Sequence, residues 1–203
     1  MKAAAKRRVV RGFEIITRLG AIVALCAFVT GASAPVFADV RSSGPLVAVG
    51  FSEKFRNDMV LPTLGWRWQL SAGETLESWG KRIGADLSFV IEPSVAAVVG
   101  DKDSFETQLV PYLHVEPAGM QTGWSPYFEG GIGLIYTALE GLRLGSNVLF
   151  SDDAGAGFAF DVPRFGPWTR MSLGYRFRHI SHARIFGSPN SGMNTHYLTL
   201  SLQ

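Results

Sequence analysis

His179 and Ser181 stand two residues apart near the end of the chain, and Asn194 follows them after a polar, glycine-containing stretch. A base, a hydroxyl and an amide are the parts of a covalent acyl-transfer site. A serine hydroxyl attacks an acyl carbon weakly until a neighbouring base takes its proton, and the base works best when a third group holds its ring. Such chemistry needs neither cofactor nor metal, and none is expected here.

The element that carries these residues is a strand. Along Trp168–Ser181, Met171, Leu173, Tyr175 and Phe177 alternate with Arg170, Ser172, Gly174, Arg176 and Arg178. A period of two sends the sets to opposite faces, and the same count puts His179 and Ser181 on the apolar face. In the segment Asn194–Leu202, Asn194 shares its parity with Leu198, Leu200 and Leu202. If those faces meet lipid, three polar groups converge on a lipid-facing spot. Polar groups there are costly and point to function. The substrate would be a molecule of the membrane itself.

Six further alternating segments precede these two, at roughly 46–56, 60–70, 81–92, 105–116, 124–136 and 146–161, separated by Gly, Pro, Asp and Ser. Their lengths suit strands that cross a bilayer at a tilt. The apolar parity carries Trp66, Trp68, Trp124, Trp168, Tyr136 and Tyr175, as aromatic girdles require. The opposite parity mixes carboxylates, arginines and glycines, as in the packed interior of a small barrel. The expected fold is all-β: an eight-stranded antiparallel transmembrane β-barrel, with a soluble β domain as its rival. With both termini in the periplasm, the end of the seventh strand lies at the level of the outer leaflet.

Residues 1–38 read as a cleaved signal peptide, with Lys2, Lys6, Arg7, Arg8, Arg11 and Arg18 ahead of or beside a short apolar run, and Val36-Phe37-Ala38 as the cleavage site. Residues 39–203 form one barrel domain by size. Six of the 19 Lys+Arg and one of the 17 acids leave with the leader, so 13 basic residues face 16 acidic ones in the rest. That balance disfavours nucleic-acid binding. The single cysteine, Cys26, leaves too, which removes disulfides and thiolate chemistry.

The segment His179-Ile180-Ser181-His182-Ala183, followed by Pro189-Asn190-Ser191-Gly192-Met193-Asn194, resembles the signature of the lipid A 3-O-deacylase (PagL-type) family. Pro126-Tyr127-Phe128-Glu129-Gly130-Gly131-Ile132-Gly133 and the stretch from Phe150 to Phe160 are similar to its middle strands. The resemblance implies an outer-membrane barrel that removes the 3-hydroxyacyl chain esterified at position 3 of lipid A. Lipopolysaccharide would be its substrate and the outer membrane its setting, as a monomer or homodimer. His179 would be the general base, Ser181 the nucleophile and Asn194 the group that orients the imidazole. Two residues depart from the family pattern. Asn194 replaces an acid, and an amide orients the ring without stabilising its positive charge. His182 stands where the family has an asparagine that would donate to the oxyanion, a bond that a histidine can also supply. In serine proteases the acid-to-amide change costs about 10⁴ in turnover through the wrong imidazole tautomer, a problem that an asparagine with its carbonyl facing the ring avoids, as in Cys-His-Asn enzymes; slower chemistry, not its absence, is expected.

Arg164 and Arg184, in predicted loops, are the candidates for the phosphates of lipid A, with Asn190 as a further substrate-binding candidate. Arg170, Arg176 and Arg178 share the inward parity and are expected to pair with Glu129, Asp86 or Glu106. His114 reads as an interior hydrogen-bonding residue, His196 as an interfacial one, and Asp152-Asp153 as a strand irregularity or solvated charge. The rival reading of function is a non-catalytic eight-stranded outer-membrane barrel with an adhesive or membrane-stabilising role.

Overall fold

The computed structural model describes residues 39–54, 57–100, 103–119, 123–139, 144–185 and 190–203. The expected signal peptide lies outside them. Eight antiparallel strands close into a barrel in sequence order: β1 Val40–Lys54, β2 Asn57–Ser71, β3 Ala85–Val98, β4 Ser104–Pro117, β5 Trp124–Thr137, β6 Val148–Phe165, β7 Trp168–Ser181 and β8 Met193–Leu202. Closure is made by β1 on β8, with Leu46 opposite Ser201 and Ser52 opposite Thr195. A closed sheet has no edge, so every strand pairs on both sides, as hydrocarbon demands.

Alternation decides what faces outward. Leu64, Phe128, Ile132, Leu134 and Leu198 are exposed on the outer surface, while Arg67, Glu92, Glu129 and Arg176 are buried in the lumen. A surface so apolar suits lipid rather than water. In mid-barrel, Arg67 and Arg176 each pair with both Glu92 and Glu129, at 2.5–3.1 Å. His114 lies 3.5 Å from Glu129 and bonds Glu116 at 2.9 Å. Arg178 pairs with Glu106 at 2.8 Å, and Arg170 with Glu116 at 2.5 Å. The expected partners hold for Arg176 and Arg178. Asp86 instead takes Arg41, at 2.9 Å.

Above this ionic layer, toward the end where β7 finishes and β8 begins, the lumen holds an apolar cluster. Leu61, Val98, Ile135, Leu149, Ile180, Met193 and Tyr197 are all buried there in one cluster. Burying Ile180 and Met193 is what turns their strand neighbours outward.

One element departs from expectation. Residues 74–82, partly assigned to the third strand, form a helix, α1 (Glu74–Arg82), and β3 starts only at Ala85. Glu74 and Glu77 in its first turn and Lys81 and Arg82 in its last complement the helix dipole. Ile83, Ala85 and Leu87 mimic a strand alternation, which hid the boundary at Gly84, where φ is +71°.

Candidate active site

The ends of β7 and β8 hold the candidate residues. His179 is directly opposite Asn194, and Ile180 is opposite Met193. Ile180 and Met193 are buried in the apolar plug, so the alternate side chains, His179, Ser181 and Asn194, project from the outer surface. The orientation of the site is thus a by-product of core packing.

Asn194 and His179 bond side chain to side chain, Oδ1 to Nδ1 at 2.6 Å. With Oδ1 as acceptor, Nδ1 carries the proton and Nε2 keeps its lone pair, the tautomer a general base requires. Ser181 lies two residues along the same strand face. Its Oγ accepts the backbone N–H of Ala183 at 3.4 Å.

The chain turns sharply after the serine. Ala183 and Arg184 both adopt left-handed backbone angles, φ +49° and +62°, and the Ile185 N–H closes the turn on the His182 carbonyl at 2.9 Å. Two consecutive side-chain-bearing residues in that region cost of order 1–3 kcal/mol each. Strain of this kind collects at functional sites.

Gly192 closes the site from the other strand. Its φ is +57°, and a Cβ built there would fall 2.7 Å from His179 Cε1 and 3.0 Å from Nε2. Backbone therefore rests against the imidazole on the edge away from Asn194, and a side chain would displace the ring.

The remaining expected residues divide. Arg184 is exposed in the turn beside Ser181. Asn190 accepts the His182 N–H through Oδ1 at 3.3 Å, tying the loop across the site. His182, the expected oxyanion donor, is fully buried just past the end of β7. Arg164 needs correction. It lies near the far end of β6, and the 12 residues separating it from Asp152, the partner of His179, span roughly 40 Å at about 3.3 Å each. Arg164 cannot share a ligand headgroup with Ser181.

Asp152 was overlooked as a site residue. It pairs across the ladder with His179, on the side away from Asn194, and is exposed on the lipid-facing surface. One row thus runs Ile132, Asp152, His179, Asn194 across four strands. The signal was present in the sequence: Asp152 shares the parity of Phe150 and Phe158. Asp153, its neighbour, points inward and takes the Tyr112 hydroxyl at 2.7 Å. One strand turn below the site, Tyr175 Oη and His196 Nδ1 lie 2.5 Å apart on the outer face, with Phe177 edge-on to the His196 ring at 5.4 Å.

The model of the lipid A 3-O-deacylase (PagL) family matches residues 62–203, which includes every residue of this site. The chain belongs to that family. Its barrel is also similar to the crystal structure of the outer membrane enzyme PagL, at 22% identity and a TM-score of 0.60, covering 80% of this chain and 99% of that one. A second likeness is to the crystal structure of Neisserial surface protein A (NspA), at 13% identity and a TM-score of 0.54, over 79% of this chain and 93% of that one. At these identities the two structures speak for the fold alone, an eight-stranded outer-membrane barrel. No curated protein sequence matches the chain. Family membership over 62–203 gives the exposed His179–Asn194 pair and its neighbouring hydroxyl a chemical context that neither solved structure supplies by itself.

Proposed function

We propose that this barrel hydrolyses the 3-hydroxyacyl ester at position 3 of lipid A, from the outer leaflet, by serine–histidine catalysis. The observation that carries the reading is the 2.6 Å Asn194–His179 bond on the lipid-facing surface, one strand step from Ser181, in a member of this family. Asn194 Oδ1 accepts the Nδ1 proton and leaves Nε2 as the base. Nε2 takes the Ser181 proton as Oγ attacks the ester carbon. Collapse of the tetrahedral intermediate breaks the bond to the sugar oxygen, which receives the proton from Nε2, and leaves an acyl-serine. Water, deprotonated by the same nitrogen, then releases the fatty acid.

The Ala183 N–H, already aimed at Ser181 Oγ, is the donor nearest the developing negative charge. Asp152, the ladder partner of His179 on the side away from Asn194, puts a carboxylate on the same outer face, where its charge favours the imidazolium through space. Arg184, exposed at the same rim, is the candidate for a lipid A phosphate. Asn190 acts by holding the loop that carries it.

The test is to express the chain and its Ser181→Ala variant in a Gram-negative host and weigh lipid A. Loss of one hydroxyacyl mass with the first and none with the second supports the proposal. Unchanged lipid A with both would return the chain to the non-catalytic barrel reading.

A further inference from the structure

The helix α1 connects β2 to β3 at the end of the barrel where β1 begins and β8 finishes, and its two long sides are fixed by different contacts. On one side Gly80 rests on the outward face of β3: a Cβ there would fall 2.8 Å from the Ala85 carbonyl oxygen and 2.9 Å from Leu87 Cγ. Ala85 and Leu87 share the lipid-facing parity of Phe89, yet both are buried, because the helix covers them. On the other side Glu77 is clamped to the mouth of the lumen. It accepts hydrogen bonds from Arg41 Nη2 at 2.7 Å and Ser71 Oγ at 2.8 Å, while Arg41 Nη1 donates to Asp86 at 2.9 Å. Glu77 and Lys81 border a cavity of about 490 Å³ at that mouth.

These contacts leave α1 no freedom to roll. Leu76, Trp79 and Ile83, spaced i, i+3, i+7, therefore project from the outer flank, at 37%, 53% and 55% exposure. The flank continues the barrel's lipid-facing surface past the last strand row, beside Leu87, and β3 is the element it packs against most among the described residues. Lys81 and Arg82 close the last turn with positive charge. A short amphipathic helix with an apolar stripe, an indole and neighbouring cations is suited to the boundary between headgroups and acyl chains.

We propose that α1 is an interfacial anchor: Leu76, Trp79 and Ile83 seat in the phospholipid leaflet at this end of the barrel, with Lys81 and Arg82 at the level of its phosphates. The partner is a phospholipid surface. Anchoring at this end holds the barrel at a fixed depth and so sets the height of the opposite rim, where Ser181 lies. The proposal stands apart from the deacylase reading and survives or fails without it.

Nitroxide labels at single cysteines test it, in a full-length chain carrying Cys26→Ala and reconstituted into vesicles of phosphatidylethanolamine and phosphatidylglycerol. Positions are Leu76→Cys and Trp79→Cys on the apolar flank and Ser78→Cys on the side away from both barrel and lipid. Labels at 76 and 79 should show an oxygen-to-nickel collision ratio several-fold above that at 78, with a depth of about 5–10 Å below the phosphates. Should Trp79→Cys fail to insert, Ile83→Cys reads the same flank. Equal nickel access at all positions would place the helix in water and overturn the proposal. Dipolar broadening at 79 between labelled copies would assign the flank to a second protomer and overturn it as well.

Discussion

Two polar clusters sit at membrane depth in this barrel, and they are built to opposite ends. In the lumen, Arg67, Arg176, Glu92 and Glu129 come from four strands and satisfy one another, charge for charge. On the outer wall, Asn194 and His179 make one bond, while the Ser181 hydroxyl and the Asp152 carboxylate lie on the same lipid-facing surface with no charge partner beside them among the described residues. The first cluster fills a space that eight strands enclose. The second spends its polarity on something outside the protein. Balance of charge within the protein, more than residue type, separates scaffold from proposed site.

Mutations should divide along that line. Ser181→Ala is expected to abolish deacylation with the barrel intact, read by lipid A mass and by unchanged unfolding. Glu129→Ala should do the converse: it leaves Arg67 and Arg176 to share Glu92, one buried positive charge in excess, and breaking a buried ion pair costs about 3–5 kcal/mol, read as a lowered urea midpoint. Residual activity per folded molecule should stay near that of the parent. A comparable loss of turnover in the folded fraction would mean that the two clusters are coupled.

Gly192→Ala sharpens the comparison from the site side. It forces a side chain into a left-handed position and against His179, with backbone strain of about 1–3 kcal/mol. Turnover per folded molecule should fall about tenfold or more, since each 1.36 kcal/mol of barrier is tenfold in rate, alongside a stability loss no larger than that strain. Asp152→Asn, which keeps shape and removes charge, should lower turnover several-fold. Asn194→Asp in that background should restore part of it, since both changes act on the charge beside one imidazole.

The smallest effect is expected at α1. The Ser71 hydroxyl and then Arg41 hold the Glu77 carboxyl below its usual range. Its folded value is depressed, so the clamp is complete above the ordinary carboxylate value of 4.5 and weakens as pH falls through the lower folded value. Lys81 and Asp86 are the other charges near this contact. A label at position 78 should gain mobility in acid, and Glu77→Gln should show that mobility at neutral pH. An acid response that survives Glu77→Gln would remove the Glu77 carboxyl from this role.

Much of this was legible in order. Alternation in Trp168–Ser181 located β7 to the residue and put His179 and Ser181 on the outer face. Asn194 followed from its parity with Leu198 and Leu200. The parity of Arg176 and Arg178 was equally plain, and their partners Glu129 and Glu106 were among those expected. The helix was not legible, because Ile83, Ala85 and Leu87 continue a period of two across a turn. Arg164 was misplaced because closeness along an acid-free segment was read as closeness in space.

By itself the sequence determined which side of each strand every residue occupies, since that depends only on a backbone repeat of two and on burying Ile180 and Met193 rather than His179 and Asn194. Tertiary structure alone decided who meets whom across strands: Asp152 beside His179, Gly192 against the imidazole, Arg164 at the opposite rim, and α1 folded onto the outer face of β3. Pairing register is set by the closure of all eight strands together, a condition that no single segment carries.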